Sequence, residues 1–573
     1  MQNEIHGLMM EKGLPSFYVT INPADVFNPL VKFLAGSEID IDNLLPDQVP
    51  EYWEQSKLIA KNPTVAAKFF NIYMKAFIYA LLGFDPQQRN IEGGILGVVK
   101  AYYGCVEAQG RETLHCHMMI WVEGGLNPNE IKDHVLDGDT EFKDRLLMFL
   151  DDTISNLIPE DPDTNFILPS VLHHPCSVRG VNFNLRDEDL DMAHQKDLHH
   201  LAKQCQSHTH SATCYKYWKG PPEPKECCFD LDENNVQLQS SFNSETGEIC
   251  LRCLDGLVNN FNATILEAVR CNMDIKFIGS GASAKAILYY ITDYITKSQL
   301  KAHVAYAALK LAVGKLGEYN SQDDNLTVHA KRLLQKCTYS MISHQELSAQ
   351  QVCSYLLDYE DHFTSHKYNN LYWTSFEKLI DDEDPSPSCY SRKRVSTDNT
   401  DPKNESDSDE LDRYHSGEQD ENEKEGDIDK ENENENDSPE TDEHDEICIS
   451  VKQTGEIVAK ASQVADYQLC GDCLNNISVW DYVAQIEKIS KASDRQKSDD
   501  KDDSEDDEND DTPDTKSESD SAETIEEILN DTSRKQKRID LQHEHLEHIS
   551  HRTKVRTPDK RVVPVPIGPS IPR

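Results

Sequence analysis

The sequence lacks the features that mark several large classes of protein. No stretch approaches the roughly 18 apolar residues of a membrane-spanning helix, and the N-terminus has no basic start followed by an apolar run, as a secretory signal would. No G-x-x-x-x-G-K-S/T phosphate loop occurs in the 573 residues. We therefore expect an intracellular protein whose chain carries no helicase or ATPase motif.

Hydrophobic residues and positive charge are also scarce. Hydrophobic residues make up 37% and aromatic residues 8% of the chain, and the formal net charge is −46. The negative charge is concentrated, because residues 381–447 hold 27 acidic residues against 7 Lys and Arg, and residues 498–527 hold 16 against 2. Such tracts have too little apolar content to form a core, so we expect disorder there. The acidic average therefore does not exclude an ordered part that binds DNA.

Two histidines, His115 and His117, are the most informative residues that are present. They lie in an apolar, β-favouring run, a similar run at 97–106 precedes it, and polar residues separate the two. The pattern predicts a hairpin, and alternate side chains of a strand share one face. With Glu107 or Gln109 as a third ligand, the two imidazoles could hold a divalent cation and leave positions for a phosphate.

An H-x-H pair alone is a weak pattern in this chain. The same spacing recurs at 208–210 and at 543–545. The alternative for His115 and His117 is a pair of histidines that pack inside a sheet and bind nothing.

A later segment supplies a candidate nucleophile. Tyr290 and Tyr294 are four residues apart in the segment 282–297, whose apolar pattern predicts a helix, so their side chains share one side. A phenol is a weak nucleophile, but a cation that polarises a phosphate lowers the barrier to its attack. The alternative is a core stripe of aromatic rings, to which the adjacent Tyr289 would belong.

Taken together, the hairpin and the tyrosine segment resemble the replication-initiator portion of Helitron transposases, in the HUH endonuclease superfamily. Residues 107–117 are similar to the family's E-x-Q-x-R-G-x-P-H-x-H pattern, with Glu112 and Leu114 in place of its Gly and Pro, and residues 290–294 to its Y-x-x-x-Y helix. Further similar segments lie at 13–23, 272–277, 345–352 and 564–572.

The resemblance implies an α+β fold, with a central antiparallel sheet flanked by helices and the histidines on a middle strand. It also implies a nickase and transferase of single-stranded DNA, in which Mg²⁺ or Mn²⁺ bound by the histidines and by Glu107 or Gln109 polarises the scissile phosphate. One tyrosine would attack and leave a 5′-phosphotyrosine. Arg111 is a candidate phosphate contact, and Lys297 is a candidate for phosphate contact or proton transfer.

The missing phosphate loop sets the alternatives for function. Because longer family members continue into a helicase, we expect a truncated or split copy, with a helicase supplied by another chain. The expected DNA substrate and the lack of a signal peptide predict a nuclear location. The alternative is a catalytically inactive remnant that binds DNA or chromatin, with acidic tracts that bind basic proteins such as histones.

Sixteen cysteines in an expected reduced compartment point to metal rather than to disulfides. The densest group offers more than the four ligands of tetrahedral zinc, and the resemblance includes a Cys/His-rich segment at this place. We expect a structural zinc site drawn from Cys205, His208, His210, Cys214, Cys227 and Cys228.

These patterns together predict seven divisions of the chain. They are the hairpin half of the catalytic domain, the Cys/His-rich insertion with the tyrosine helix, a helical extension, an acidic disordered segment, a small ordered element, a second acidic disordered segment and a C-terminal tail. Their bounds are 1–125, 126–300, 301–376, 377–447, 448–493, 494–530 and 531–573.

Overall fold

The structure is a computed structural model. It describes residues 1–41, 44, 48–49, 51–85, 93–108, 113–162, 173–178, 187–215, 227, 231–243, 245–279, 285, 310, 335–340, 347–383, 448–451, 457–474, 476–491 and 538–567.

The α-helices of eight or more residues are α1 (Gln2–Lys12), α3 (Tyr52–Lys61), α4 (Pro63–Ala76), α5 (Pro128–Leu136), α6 (Thr140–Thr153), α7 (Asp187–Leu201), α9 (Ala349–Leu356) and α10 (Trp373–Glu383). Shorter ones are α2 (Pro29–Leu34), α8 (Ala263–Val269), α11 (Gln463–Gln468) and α12 (Val479–Gln485). The strands are β1 (Phe17–Asn22), β2 (Val99–Ala108), β3 (Leu114–Val122), β4 (Ser241–Phe242), β5 (Ile249–Cys250), β6 (Asn272–Phe277), β7 (His362–Thr364), β8 (Tyr368–Leu371), β9 (Cys448–Val451), β10 (Ile457–Lys460), β11 (Ile486–Ser490), β12 (Arg538–Asp540), β13 (His551–Val555) and β14 (Val563–Pro566).

A five-stranded antiparallel sheet forms the centre of the fold, with the strand order β6-β1-β3-β2-β7. Strand β3 is the middle strand, because β2 pairs with it as a hairpin on one side and β1 pairs with it on the other. Helices pack around this sheet. The fold is therefore α+β with a central antiparallel sheet, as the family resemblance implied.

The alternation of side chains along these strands gives the sheet two apolar faces. One face carries Phe17, Cys116 and Met118 and packs against helix α4, which contributes Phe70 and Met74. Each fully buried side chain of this size contributes roughly 1.5–3 kcal/mol. This burial fixes the register of β3, since a slip of one residue would turn its other set of side chains, the histidines included, into the core.

The opposite face of the sheet is covered by helix α1 and strand β14. Ile5 and Leu8 of α1 and Val563 of β14 are fully buried there, against Tyr103 and Trp121 of the sheet. The approach of helix and strand is close, because a Cβ atom added at Gly7 would lie 2.5 Å from the carbonyl oxygen of Pro564.

The C-terminal part of the described chain forms a second core. Strands β11, β13 and β12 make one antiparallel sheet, so residues on either side of the segment 492–537 are joined by backbone hydrogen bonds. Leu371, Tyr482 and Val555 are buried together in this core. The sequence divided this region into a small element and a tail, and the structure joins the two through β11 and β13.

Local predictions from the sequence are confirmed where residues are described. The expected hairpin that carries the histidines is formed by β2 and β3, and helix α4 continues into the π-helical turn Phe77–Leu81. The expected helix at 282–297 lies outside the described residues except for position 285, and most of the predicted helical extension does too. In the part of the chain that is described, no helix is long and apolar enough to cross a membrane.

Candidate metal centre

The central strand places His115 and His117 on one face, where the partner strand adds a carboxylate. In the pairing of β2 with β3, Glu107 lies opposite His115. Residues that face each other across an antiparallel pair have Cβ atoms about 4.5–5.5 Å apart, so their side chains can share a ligand. The strand register thus brings three potential metal ligands to one point.

The ligand atoms of these three residues lie within 4.8 Å of one another. The Nε2 atoms of His115 and His117 are 2.9 Å apart. The Oε2 atom of Glu107 is 3.7 Å from Nε2 of His115 and 3.9 Å from Nε2 of His117. Both imidazoles therefore direct the same nitrogen toward the carboxylate.

Hydroxyl groups of strand β1 hold the other nitrogen of His117. The hydroxyl oxygen of Tyr18 lies 2.5 Å from its Nδ1 atom, and the hydroxyl oxygen of Thr20 lies 3.0 Å from the same atom. Thr20 is paired with His117 in the register of β1 and β3, so its side chain lies directly beside the imidazole.

Burial sets the protonation of this group. It lowers the pKa of His115 to about 4, against the opposing effect of the Glu107 backbone carbonyl, and lowers the pKa of His117 to about 3, with help from the charge of His115. Burial also raises the pKa of Glu107 to about 7. The imidazoles are therefore neutral near pH 7, which is the form that binds a metal ion.

The donor set fits a divalent cation. Two neutral imidazole nitrogens and one carboxylate oxygen suit a transition-type or hard divalent ion and leave further coordination positions for other ligands. Glu107 is the most exposed of the three, with 28% of its side chain accessible, so the group opens to solvent on the carboxylate side.

Several residues that the sequence singled out lie outside the described residues: Gln109, Arg111, Tyr290, Tyr294, Lys297 and Cys228. Of the two residues considered for the third ligand, Glu107 is the one whose position the structure gives, and it lies beside the histidines.

A second group of potential ligands gathers in the Cys/His-rich segment. His208, His210, Cys214 and Cys227 place one ligand atom each within 4.8 Å of the others. The Nε2 atom of His208 is 3.3 Å from Sγ of Cys214 and 3.5 Å from Sγ of Cys227. Tetrahedral zinc, with bonds of about 2.0–2.3 Å, holds its ligands about 3.3–3.8 Å apart, so the spacing suits that ion.

The surroundings of Cys214 favour the thiolate form of its side chain. The backbone amide of Ser211 donates to its Sγ atom at 3.3 Å. This hydrogen bond, together with the side chains of His210 and His208, lowers the pKa of Cys214 to about 6, so the thiolate form is accessible near neutral pH.

Cys205, which the sequence grouped with these ligands, lies elsewhere. Its Sγ atom is 3.7 Å from Sγ of Cys176, a residue 29 positions earlier. Asn272 donates to its backbone carbonyl at 2.7 Å and so ties this segment to strand β6. The structure therefore assigns Cys205 to a contact with Cys176 rather than to the Cys/His group.

The third H-x-H segment takes part in an ion-pair network. His545 lies with Asp466 and Glu547, and the ligand atoms of the three are within 4.8 Å of one another. The ammonium group of Lys488 is 2.6 Å from Oδ1 of Asp466 and 2.5 Å from Oε2 of Glu547. The lysine supplies the positive charge that the two carboxylates require, so this cluster does not need a metal ion.

Residues 1–120 match the Helitron helicase-like domain found at the N-terminus of such proteins. The matched Helitron-like region contains Glu107, His115 and His117 and ends inside strand β3. A search of curated proteins gives no match to the chain.

Sequence reasoning did not find two parts of these sites. Tyr18 and Thr20 stand two residues apart in the Helitron-like strand β1 and share its face with His117, but which histidine they touch follows only from the pairing of β1 with β3. The pairing of Lys488 with Glu547 joins residues 59 positions apart, and spacing in the sequence gives no indication of it.

Proposed function

We propose that this chain is a Helitron-type initiator that nicks and transfers single-stranded DNA at the Glu107/His115/His117 group. The single observation that carries the proposal is the convergence of two neutral imidazoles and one carboxylate on the middle strand of a region that matches the Helitron helicase-like domain. The match supports a Helitron-related role, and the HUH-type chemistry is our inference from the ligand set.

In this proposal His115, His117 and Glu107 would hold Mg²⁺ or Mn²⁺. When bound, the cation polarises a phosphate and stabilises the charge that develops on it. The residues of the chain bind and orient that group, because the two Nε2 atoms and the carboxylate are fixed by strand pairing rather than by a loop. Gln109 remains a further candidate ligand.

The proposed nucleophile is Tyr290 or Tyr294. The phenol oxygen attacks the phosphorus atom, a 5′-phosphotyrosine bond forms, and the bond from phosphorus to the 3′-oxygen breaks. The phenol gives up its proton and the departing 3′-oxygen takes one up, so the products are a covalent protein–DNA adduct and a free 3′-hydroxyl. The second tyrosine would accept a second strand. Arg111 and Lys297 are proposed phosphate contacts.

The experiment is cleavage of a single-stranded oligonucleotide by the full chain with Mg²⁺ or Mn²⁺. We expect a covalent adduct that survives denaturing electrophoresis, and we expect chelation to prevent it. The double variant Tyr290→Phe with Tyr294→Phe should bind DNA but form no adduct, since only the attacking oxygens are removed. Tyr289→Phe, at the adjacent position, is the matched control.

The outcomes separate this proposal from its alternative. If the wild-type chain binds single-stranded DNA but forms no adduct with either cation, the inactive, DNA- or chromatin-binding remnant is the better description. If the double phenylalanine variant forms adduct at the wild-type rate, neither tyrosine is the nucleophile.

For the Cys/His group we propose structural zinc bound by His208, His210, Cys214 and Cys227. The support is their mutual distances and the lowered pKa of Cys214. Elemental analysis should find about one zinc per chain, lost in Cys214→Ser and kept in Cys205→Ser, because Cys205 contacts Cys176 instead. The exposed Cys473 provides a control, Cys473→Ser. Zinc lost equally in the Cys205 and Cys214 variants would contradict this ligand set.

Partners and location are likewise proposals. We propose a nuclear location because the proposed substrate is DNA. We propose a separate helicase because longer family members continue into one, and basic proteins as partners because the acidic tracts would attract them.

A further inference from the structure

The hydroxyl groups beside His117 present a feature that metal ligation alone does not explain. The hydroxyl oxygens of Tyr18 and Thr20 both lie within hydrogen-bonding distance of one imidazole nitrogen, Nδ1 of His117. Tyr18 is 4% exposed, and its ring plane is within 3° of parallel to that of His117. The imidazole is therefore held on one edge by two oxygens from a neighbouring strand.

We propose that Tyr18 and Thr20 are positioning residues that keep the proton of His117 on Nδ1 and so leave the lone pair of Nε2 directed toward Glu107 and His115. This inference rests on the proposed cation site and deepens it. It assigns the selection of the ligating nitrogen to strand β1, which contributes no ligand of its own.

The number of oxygens argues for a proton on Nδ1. A neutral imidazole carries one N–H and one lone pair, and a lone pair accepts one well-aligned hydrogen bond. An N–H group can be shared between two acceptor oxygens in a three-centre bond. The hydroxyl oxygens of Tyr18 and Thr20 lie 2.5 Å and 3.0 Å from Nδ1. An N–H group at Nδ1 can donate to both oxygens, whereas a lone pair there would accept from only one hydroxyl group.

The opposite edge of the ring argues the same way. If the proton were on Nε2, it would lie between the two Nε2 atoms, which are 2.9 Å apart, and would occupy the lone-pair direction that a cation needs. With the proton on Nδ1, the Nε2 lone pair faces the carboxylate of Glu107. Residues that donate to or accept from the remote nitrogen of a metal-binding histidine typically change metal affinity about 10–100-fold.

Strand pairing explains why these two residues serve His117 and not His115. Thr20 is the register partner of His117 and Tyr18 is the partner of Met119, so both lie on the side of the ring away from Glu107, which belongs to β2. His115 lies nearer the end of β1 and pairs with Glu107 across the other edge of β3. The two histidines are therefore oriented by different strands.

The test is titration of the full chain with Mn²⁺, followed by electron paramagnetic resonance, without DNA. We expect Tyr18→Phe and Thr20→Val each to weaken Mn²⁺ binding, and the double variant to weaken it about 10–100-fold. Thr20→Ser keeps the hydroxyl group and should bind like wild type. Tyr103→Phe, which removes a hydroxyl from the same sheet face where it donates to Glu4, is the control.

The comparison of Thr20→Ser with Thr20→Val separates positioning from packing, because valine keeps the shape of threonine without the oxygen, whereas serine keeps the oxygen without the methyl group. Wild-type Mn²⁺ affinity in the double variant would overturn the proposal. Equal losses in the serine and valine variants would overturn it as well, since the hydroxyl would then be irrelevant.

A second readout distinguishes this inference from the proposed function. The measurement is NMR of protein labelled with ¹⁵N-histidine, in which the resonances that disappear in His117→Gln belong to this ring. We expect His117 to have its proton on Nδ1 in wild type and to be a mixture of both tautomers in the Tyr18→Phe, Thr20→Val double variant. If wild type binds no Mn²⁺, the cation site fails, but the nitrogen shifts still decide the role of the hydroxyls. If His117 carries its proton on Nε2 in wild type, the proposed role of Tyr18 and Thr20 is overturned.

Discussion

In the part of the chain that the structure describes, two groups of three potential metal ligands combine histidine with carboxylate side chains, and one of these groups also contacts a lysine. At the sheet, Glu107 faces His115 and His117, while in the C-terminal core Glu547 and Asp466 face His545 and also the ammonium group of Lys488. A lysine within hydrogen-bonding distance satisfies buried carboxylates without a metal ion. The difference teaches that the same H-x-H spacing can have different surroundings: a carboxylate beside His115 and His117, and carboxylates already paired with Lys488 beside His545.

The pKa values of the two glutamates express the same difference. Burial raises the pKa of Glu107 to about 7. Burial also acts on Glu547, but the hydrogen bond and the charge of Lys488 outweigh it and hold that pKa below its ordinary value. A carboxyl group that is costly to ionise is stabilised when a cation binds beside it, whereas one already paired with lysine gains little.

The largest effect that should sharpen this comparison is on cation binding. We expect His117→Ala to weaken Mn²⁺ binding by at least about 100-fold and to abolish adduct formation, because one of three ligands is lost. His545→Ala should leave both unchanged, although it removes a buried side chain. Mn²⁺ titration and the adduct assay measure the two effects, with the exposed His543→Ala as a surface control. Loss of the adduct in His545→Ala would break the comparison.

The next effect concerns the C-terminal network. Lys488→Met removes the ammonium group and leaves Asp466 and Glu547 partly buried without a counter-charge, which should cost about 2–3 kcal/mol of unfolding free energy. Added Mn²⁺ should restore part of it, since the cluster then resembles the one at the sheet. Denaturant unfolding with and without Mn²⁺ measures this.

Lys491 supplies a matched control for that experiment. Its ion pair with Asp540 is exposed on the carboxylate side, so Lys491→Met should cost under about 1 kcal/mol. If Lys488→Met and Lys491→Met had the same small effect, the network would not be what distinguishes the two clusters.

A smaller effect should appear with pH. The pKa of Glu547 is lower in the folded state than its ordinary value of 4.5. Its contribution to stability is therefore fully present above about pH 4.5 and is lost as the pH falls through the lower, folded-state pKa. Between pH 7 and pH 3 the unfolding midpoint of wild type should fall by an amount that includes the loss of this contribution. The midpoint of Lys488→Met should fall less over the same range, because the lysine that lowers the pKa of Glu547 is absent. An identical acid dependence in both proteins would contradict the assignment.

The smallest expected effect is on the stability of the folded state and concerns Asp25, a buried carboxyl group outside both clusters. Asp25 is 5% exposed, burial raises its pKa to about 6, and its Oδ2 atom accepts a hydrogen bond from Gln350 at 3.4 Å. Because the pKa of Asp25 is higher in the folded state than its ordinary value of 3.8, the protonated carboxyl group contributes stability that is fully present below pH 3.8. This contribution is lost as the pH rises through about 6.

Asp25→Asn removes the buried charge, so it should stabilise the protein at pH 7 by on the order of 1–2 kcal/mol, with the difference shrinking toward pH 4. Unfolding at both pH values measures it. A destabilised Asp25→Asn variant at pH 7 would show that the carboxylate has a favourable partner at this position.

The sequence alone predicted the local features of this protein. Period-two alternation around His115 and His117 predicted their shared face, and the hairpin pattern predicted that a residue near position 107 would lie beside them, as β2 and β3 have it. These features depend on backbone geometry over a few residues, which neighbouring side chains largely determine.

The density of Cys and His residues predicted a second group of ligands but not its membership. Four of the six candidates converge, while Cys205 contacts Cys176 and Cys228 lies outside the described residues. Spacing in a loop does not fix the directions of its side chains, so the choice depends on how the loop is anchored. Here a backbone hydrogen bond from His208 to Leu257, 49 positions later, provides that anchor.

Only the tertiary structure decided which side chains surround each H-x-H segment: Glu107 at the first, Cys214 and Cys227 at the second, and Asp466, Glu547 and Lys488 at the third. The pairing of β1 with β3 brings Tyr18 to His117 from 99 positions away, and the pairing of β11 with β13 brings Lys488 near Glu547. Such contacts arise from strand register and core packing between distant segments. A local pattern fixes which face a side chain occupies, but the neighbours on that face come from parts of the chain that the pattern does not include.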